Sequence, residues 1–581
     1  MINGTVEKTL IIQFRMRGFG SVLGLAVLLA FVFAGELFAQ RAESKTGSGY
    51  NILFILADDL GIGDLSASGS KFHETPNIDS LARGGMTFTQ GYATCPVCSP
   101  SRASIMTGKY TPRHGITDWI GSPTGWNYWR VPADLDLAAL KEYMRNPVKW
   151  NVPELETAAK MANHAMLPPD FVQQLPAEEI TIAEALKGGG YKTFFAGKWH
   201  LGFKPEDRPD HHGFDINKGG HGAGMPSNFF PPYNNPALAD GPQGEMLDMR
   251  LAEETAKFIE LNKDERFFAF LSFYSVHTPI QCSREKWLKY RDKAMALGNP
   301  DRERYVSDGG FNERVVQDHA VYAGLVEHMD DAVGIVLDKL KALGLEKNTI
   351  VIFTSDNGGV SQSPSWAFTS NRPYRGGKGC AYEGGVREPY FISVPGVTKP
   401  GSRCDVPVTG TDFYPTLLEL AAAPLNPQQH VDGVSLVPLL KGATIAQRDL
   451  FWHYPHYNGF ANRPASWVRS GDWKLIHFWD DGRDELYNLG SDIGERTNRV
   501  NLDPVKAAEL RARLCHWLMQ VNAKVPAPNP FFEKEKTDRL WAETYAARKQ
   551  VAEEAGRDVL RRDYAPVPGA WGPWWGSRKD E

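Results

Sequence analysis

The 581-residue chain has only six cysteines, too few to act as a disulfide scaffold for a protein of this size. They are Cys95, Cys98, Cys282, Cys380, Cys404 and Cys515. One or two bridges remain possible, and spacing does not assign them. No long run of lysine or arginine occurs, and the formal net charge is -5, which argues against nucleic acid as a partner. After Ala39 there is no apolar stretch long enough to cross a bilayer. Hydrophobic residues at 42% and charged residues at 23% are ordinary for a soluble globular protein.

What is present begins at the N-terminus. Lys8, Arg15 and Arg17 precede the apolar run GFGSVLGLAVLLAFVFAG, which leads into ELFAQ. A basic start, a short apolar segment and a small residue at Ala39 predict a secretory signal peptide over 1–39, cut after Ala39. The competing reading is an uncleaved anchor, since the run is close to the minimum for a span. No cysteine follows the run to carry a lipid. The mature protein is therefore expected to be secreted or periplasmic, with 40–49 a polar linker.

From residue 50 onward, short apolar runs alternate with amphipathic stretches. NILFILADDLG, YKTFFAGKWHLG, RFFAFLSFYSVHTP and NTIVIFTSDNGG read as strands buried on both faces. ERVVQDHAVYAGLVEHMDDAVGIVLDKLKALG repeats apolar residues three and four apart, as a helix does. This alternation predicts an α/β domain over 50–445, a mostly parallel sheet between helices. A Trp- and Pro-rich stretch, about 121–169, breaks the rhythm and reads as an insertion near the site mouth. Over 446–525 the pattern changes to short strands and turns, then a helix through Cys515, which predicts a small antiparallel α+β subdomain. The tail, 526–581, shows no repeat; its GAWGPWWGS reads as tryptophans packed against the body or as aromatic faces for sugars.

Charge and imidazole gather where the four apolar strands stop: Asp58 and Asp59, Lys198 and His200, His277, then Asp356 and Asn357. In open α/β sheets, ligands bind beyond the carboxyl ends of the strands. Asp58, Asp59, Asp356 and Asn357 offer only oxygen, which suits calcium or magnesium better than zinc. Either acidic pair alone reads as turn chemistry; both together, in this topology, point to a metal. CPVCSPSRASIMTGKY, residues 95–110, adds a helix start, with proline in the first turn and Gly108 near the end. Unpaired amides at that N-terminus, with Arg102, favour an oxyanion. Cys98 sits beside this cradle. It can be read as half of a redox pair with Cys95, as a soft ligand mismatched to hard oxygens, or as the precursor of a different nucleophile.

CSPSRASIMTGKYTPRHG resembles the signature of the formylglycine-dependent sulfatases, in which Cys-x-Pro-x-Arg directs oxidation of the cysteine. GKWHLG, SDNGG and RGGKGCAYEGGVREP resemble further motifs of that family, in the same order, and the likeness runs from about Asn51 to Leu440. It implies the alkaline-phosphatase-like fold and a sulfuric ester hydrolase. It also implies that Cys98 becomes formylglycine (3-oxoalanine), whose hydrate supplies one hydroxyl to attack sulfur and a second to expel sulfate. By the same resemblance, one ion, calcium before magnesium, is held by Asp58, Asp59, Cys98, Asp356 and Asn357. Arg102 orients the diol, and Lys198 and Lys378 bind sulfate oxygens. His200 is the base that helps release sulfate, and His277 donates to the leaving alcohol. A sulfated saccharide or small sulfate ester is the expected substrate, and a formylglycine-generating maturation enzyme an expected partner. A phosphonate monoester or phosphodiester hydrolase of the same superfamily is the nearest alternative, and a calcium-stabilised binding protein a more distant one. Lys109, Arg113 and His114 are expected to pair structurally, Glu383 to brace the Lys378 loop, and Cys95 and Cys380 to fill space. His211 and His212 are candidates to face substrate.

Overall fold

All seven residues of NILFILA, strand β1 (Asn51–Ala57), are buried. Leu53, Ile55 and Ala57 enter one apolar cluster, whereas Ile52, Phe54 and Leu56 enter another. Because strand side chains alternate between faces, this run belongs at the centre of a sheet covered on both sides. The computed structural model describes residues 49–122, 163–298, 302–308, 311–362, 367–457 and 462–565, with backbone alone for 540–546. The expected signal peptide, the linker up to residue 48, most of the 121–169 insertion and the GAWGPWWGS segment lie outside them.

In chain order the main elements after β1 are α1 (Pro76–Gly84), β2 (Met86–Phe88), α2 (Cys98–Thr107), β3 (Lys192–Gly197), β4 (Ile216–Lys218) and α3 (Leu247–Leu261). There follow β5 (Phe267–Ser272), α4 (Arg284–Ala296), α5 (Ala320–Ala342), β6 (Thr349–Ser355), β7 (Tyr390–Ser393), β8 (Ser402–Cys404) and α6 (Phe413–Leu420). The eight-stranded sheet has the order β8-β2-β7-β6-β1-β5-β3-β4. Only β7 runs against its neighbours; the other pairings are parallel. Helices α1, α3, α4 and α5 cover one face, and α2 with α6 covers the other. This is the expected α/β sheet sandwiched by helices.

Beyond it, β9 (Leu450–Tyr454), β10 (Ala465–Ser470), β11 (Trp473–Phe478) and β12 (Asp484–Asn488) form a four-stranded antiparallel sheet in sequence order. One face packs on α7 (Pro504–Gln520) through Leu475, Leu486, Leu510 and Leu514. The other packs Trp452, Trp467 and Ile476 against Tyr92, Cys95 and Val97. The C-terminal sheet therefore buttresses the segment that leads into α2.

Two sequence expectations differ from the structure. The helix expected from residue 313 starts at Ala320, because Phe311–Arg314 pairs with Tyr305–Asp308 as a hairpin. Arg314 is buried there against Asp318 and the Ala367 carbonyl, and the His319 side chain caps the helix by accepting from Tyr322 N. The tail holds a long helix, α8 (Lys534–Asp558). Glu553 on it accepts from the amides of Arg304 and Tyr305, and Trp287 Nε1 donates to the Val559 carbonyl just past its end. All six cysteines are unbridged.

β3 and β5 approach closely where β3 ends. Gly197 has φ +100°, and a Cβ there would lie 1.8 Å from the Ser272 carbonyl oxygen, so only glycine fits. Gly197→Ala is expected to destabilise the fold by about 2–4 kcal/mol, measured by denaturant unfolding; an unchanged midpoint would contradict this packing.

Candidate active site

The strand register sets the site. Ala57 pairs with Ser355, Leu56 with Ser272, and Gly197 with Ser272. Asp58, Asp356, Lys198 and the segment leading to His277 therefore leave four adjacent strands at the same edge. Asp59 holds φ +61° and His200 φ +58°, left-handed conformations that cost energy for a residue with a Cβ and are concentrated at functional sites.

Asp58, Asp59 and Asp356 bring carboxylate oxygens within 4.8 Å of one another, and all three are buried. Lys198 Nζ donates to Asp58 Oδ2 at 2.6 Å, and Lys378 Nζ to Asp59 Oδ2 at 2.7 Å. Arg102 Nε donates to Asp356 Oδ2 at 2.7 Å, and its Nη1 donates to the Lys198 carbonyl and to Ser272 Oγ. Asn357 Nδ2 donates to Asp59 Oδ1 at 2.8 Å. Burial, with Lys198 opposing it, pushes Asp58 up to about 8. Burial acts the same way on Asp59, but Lys378, His277 and Lys198 together outweigh it and hold that carboxyl below the usual range. For Lys378, burial works to lower the ammonium pKa, but Asp59, Cys98 and Asp58 together outweigh it and raise it.

These residues fit a hard divalent cation. Asp58 Oδ1 and Asn357 Oδ1 are buried and accept no hydrogen bond, and a buried acceptor left unpaired costs about 1–3 kcal/mol. Extra positive charge would also favour the ionised form of Asp58. The donors are all oxygen, as calcium and magnesium prefer. Cys98 Sγ lies outside the carboxylate cluster.

Cys98 opens α2, all of whose residues are buried. Its Sγ lies 3.3 Å from His200 Nδ1, and burial raises the thiol pKa. His200 Nε2 lies 2.8 Å from the Ile120 carbonyl. A carbonyl only accepts, so Nε2 carries the proton and the Nδ1 lone pair faces Cys98. Burial, with Lys198 adding to it, lowers the pKa of this imidazole well below the ordinary histidine value. His277 sits at the rim with its Nε2 3.7 Å from Asp59 Oδ2. Its Nδ1 meets the Thr278 carbonyl and hydroxyl, and burial together with Lys378 lowers its pKa to about 3.

The structure thus brings together Asp58, Asp59, Cys98, Arg102, Lys198, His200, His277, Asp356, Asn357 and Lys378. Lys198 and Lys378 point at carboxylates of the cluster, and Arg102 reaches Asp356 and Ser272. Lys109 pairs with Glu179, Arg113 with Asp432, and His114 Nε2 meets Ser104 Oγ. Glu383 accepts from Tyr92, Lys474 and Arg387, and Cys95 and Cys380 are buried. His211 is exposed beside Asp210, and His212 packs against Trp199. Sequence reasoning missed Ser272 and Asn371. The Asn371 amide donates to the Gly359 and Gly376 carbonyls and so fixes the glycine-rich loop carrying Lys378. A lone asparagine in a loop gives no such signal, but Ser272, ending a strand on the common edge, could have been found.

The chain matches the sulfatase family profile over residues 50–136 and 151–423. It matches the profile described as N-sulphoglucosamine sulphohydrolase, C-terminal, over 377–524. It is 30% identical to a sulfatase of Formosa agariphila, across 87% of this chain and 95% of that one. It is also 30% identical to human steryl-sulfatase, across 72% and 74%. The solved structure of Ps i-CgsB in complex with k-i-k-neocarrahexaose superposes with TM-score 0.62 at 25% identity, across 86% and 99%.

Adding Ca2+ to metal-stripped protein is expected to raise its melting temperature. At 100-fold excess over Kd the gain is about 2.7 kcal/mol, and Asp356→Asn should abolish it. Wild-type melting that ignores both Ca2+ and Mg2+ would argue against a cation at this cluster.

Proposed function

The chain belongs to the sulfatase family and is a sulfuric ester hydrolase, and on that premise we propose an exported enzyme that removes sulfate from carbohydrate, using formylglycine at position 98 and one calcium ion. The observation that carries this reading is the convergence of three buried carboxylates, two lysines, an arginine and two histidines around Cys98 at one sheet edge. Carbohydrate is favoured by the neocarrahexaose bound to the i-CgsB neighbour. Export rests on the N-terminal sequence; among the described residues no helix is long and apolar enough to cross a membrane.

Asp58, Asp59, Asp356 and Asn357 would hold the cation, which supplies fixed positive charge that polarises sulfate. Formylglycine, when installed by a maturation enzyme, supplies a hard oxygen nucleophile where cysteine offers soft sulfur. Lys198 and Lys378 neutralise charge on the sulfate oxygens as the ester bond breaks. Arg102 fixes Asp356 and the first turn of α2, so that position 98 faces the cluster. His277, at the rim, donates to the departing alcohol once the bound sulfate ester, an anion beside it, favours its protonated form. His200 presents a lone pair at Nδ1 to position 98 and takes the proton whose loss accompanies sulfate release.

Cys98→Ala is expected to lower sulfate release from sulfated glycans by at least about 10³-fold, and His277→Ala by about 10²–10⁴-fold. Both are checked by ion chromatography of released sulfate. The intact mass of the Cys98 peptide should show aldehyde in place of thiol. Active enzyme with an unmodified thiol, or faster turnover of phosphonate and phosphodiester substrates than of sulfate esters, would overturn the assignment.

A further inference from the structure

The orientation of the His200 ring depends on a loop that is itself tied to the C-terminal sheet. Ile120, whose carbonyl receives the Nε2 proton, lies in residues 117–122, and its amide donates to Ser99 Oγ at the start of α2. This loop is pinned at two points from outside the α/β layers. Tyr454 Oη, at the end of β9, donates to Asp118 Oδ1 at 2.7 Å. His456 Nε2, two residues further on, lies 2.8 Å from Thr117 Oγ1. Tyr454, His456, Asp118 and Thr117 are all buried. Gly224 lies against the ring: a Cβ there would come 2.4 Å from His200 Cε1.

We propose that the C-terminal sheet positions the catalytic imidazole, with Tyr454 and His456 acting as positioning residues through Asp118, Thr117 and the Ile120 carbonyl. The proposal rests on the reading of His200 as the base in sulfate release. A neutral imidazole has a single N–H, and whichever nitrogen meets a fixed acceptor keeps it. Groups that orient a functional histidine in this way typically contribute 10–100-fold to activity. Here the acceptor is a backbone carbonyl, so only the placement of its loop can be set by side chains. Two such side chains come from a strand more than 300 residues away in sequence.

Tyr454→Phe and Thr117→Val each remove one anchor while keeping side-chain shape. Each is expected to lower kcat by about 10–100-fold with KM held within about twofold. In protein labelled with ¹⁵N-histidine, the His200 signals, identified by their loss in His200→Ala, should move from a single Nε2–H tautomer towards a mixture. In a His200→Ala background, Tyr454→Phe should cost nothing further. Gly224→Ala, which presses on the ring from another side, should produce the same kcat loss with both anchors intact. Unchanged ¹⁵N shifts in Tyr454→Phe and Thr117→Val, or full additivity with His200→Ala, would overturn the proposal. Undiminished activity of His200→Ala would instead remove the role given to His200 and leave the tautomer measurement to decide the positioning.

Discussion

Three carboxylates brought together in a dry place repel one another and lose hydration, and everything else at the site answers that cost. Asp58, Asp59 and Asp356 each meet a different cation: Lys198, Lys378 and Arg102. Removing one partner of such a pair leaves a buried charge without compensation. The cations are therefore also structural. The sheet makes the arrangement feasible, because parallel neighbours release their chains at one edge and in register. The pairing is incomplete in one respect: Asp58 Oδ1 and Asn357 Oδ1 remain without a hydrogen-bond donor. Two acceptors short of donors, within a cluster of oxygens, form the chemical outline of a hard cation.

The helix that carries Cys98 has a different dependence. Each of its ten residues is buried, so its place is fixed by what surrounds it. One side belongs to the α/β core, through Ala103, Ile105 and Met106. The segment before it, with Cys95 and Val97, belongs to the apolar cluster shared with Trp452 and Trp467 of the C-terminal sheet. Cys98 stands at the seam between these two apolar clusters.

Much of this was legible in the sequence. The four strands showed as continuous apolar runs ending in charge, since a strand buried on both faces leaves no room for polar residues before its end. Asp58, Asp59, Lys198, His200, His277, Asp356 and Asn357 showed at strand ends and Cys98 and Arg102 at a helix start, whereas Lys378 stood out only through the resemblance of its motif. What could not be read was support that depends on contact across long separations. Asn371, Tyr454 and His456 are ordinary residues until the fold brings carbonyls, a carboxylate and a hydroxyl to them. The start of α5 was misplaced because Arg314 is buried by an ion pair with Asp318 rather than exposed on a helix face. Helix α8 was not foreseen; its described anchors include hydrogen bonds at Glu553 and Val559, which only the fold brings to their partners.

The reversed strand β7 gives the edge that carries the carboxylates a property that a purely parallel sheet would lack. Elsewhere the chain only departs from that edge; between β6 and β7 it departs and comes back, so the excursion through residues 356–389 is moored at both feet on neighbouring strands. The entropic cost of closing such an excursion grows only slowly with its length. Both ends of the excursion that carries Asp356 and Lys378 are thus held on adjacent strands, and its interior is tied down by the Asn371 amide at the Gly359 and Gly376 carbonyls.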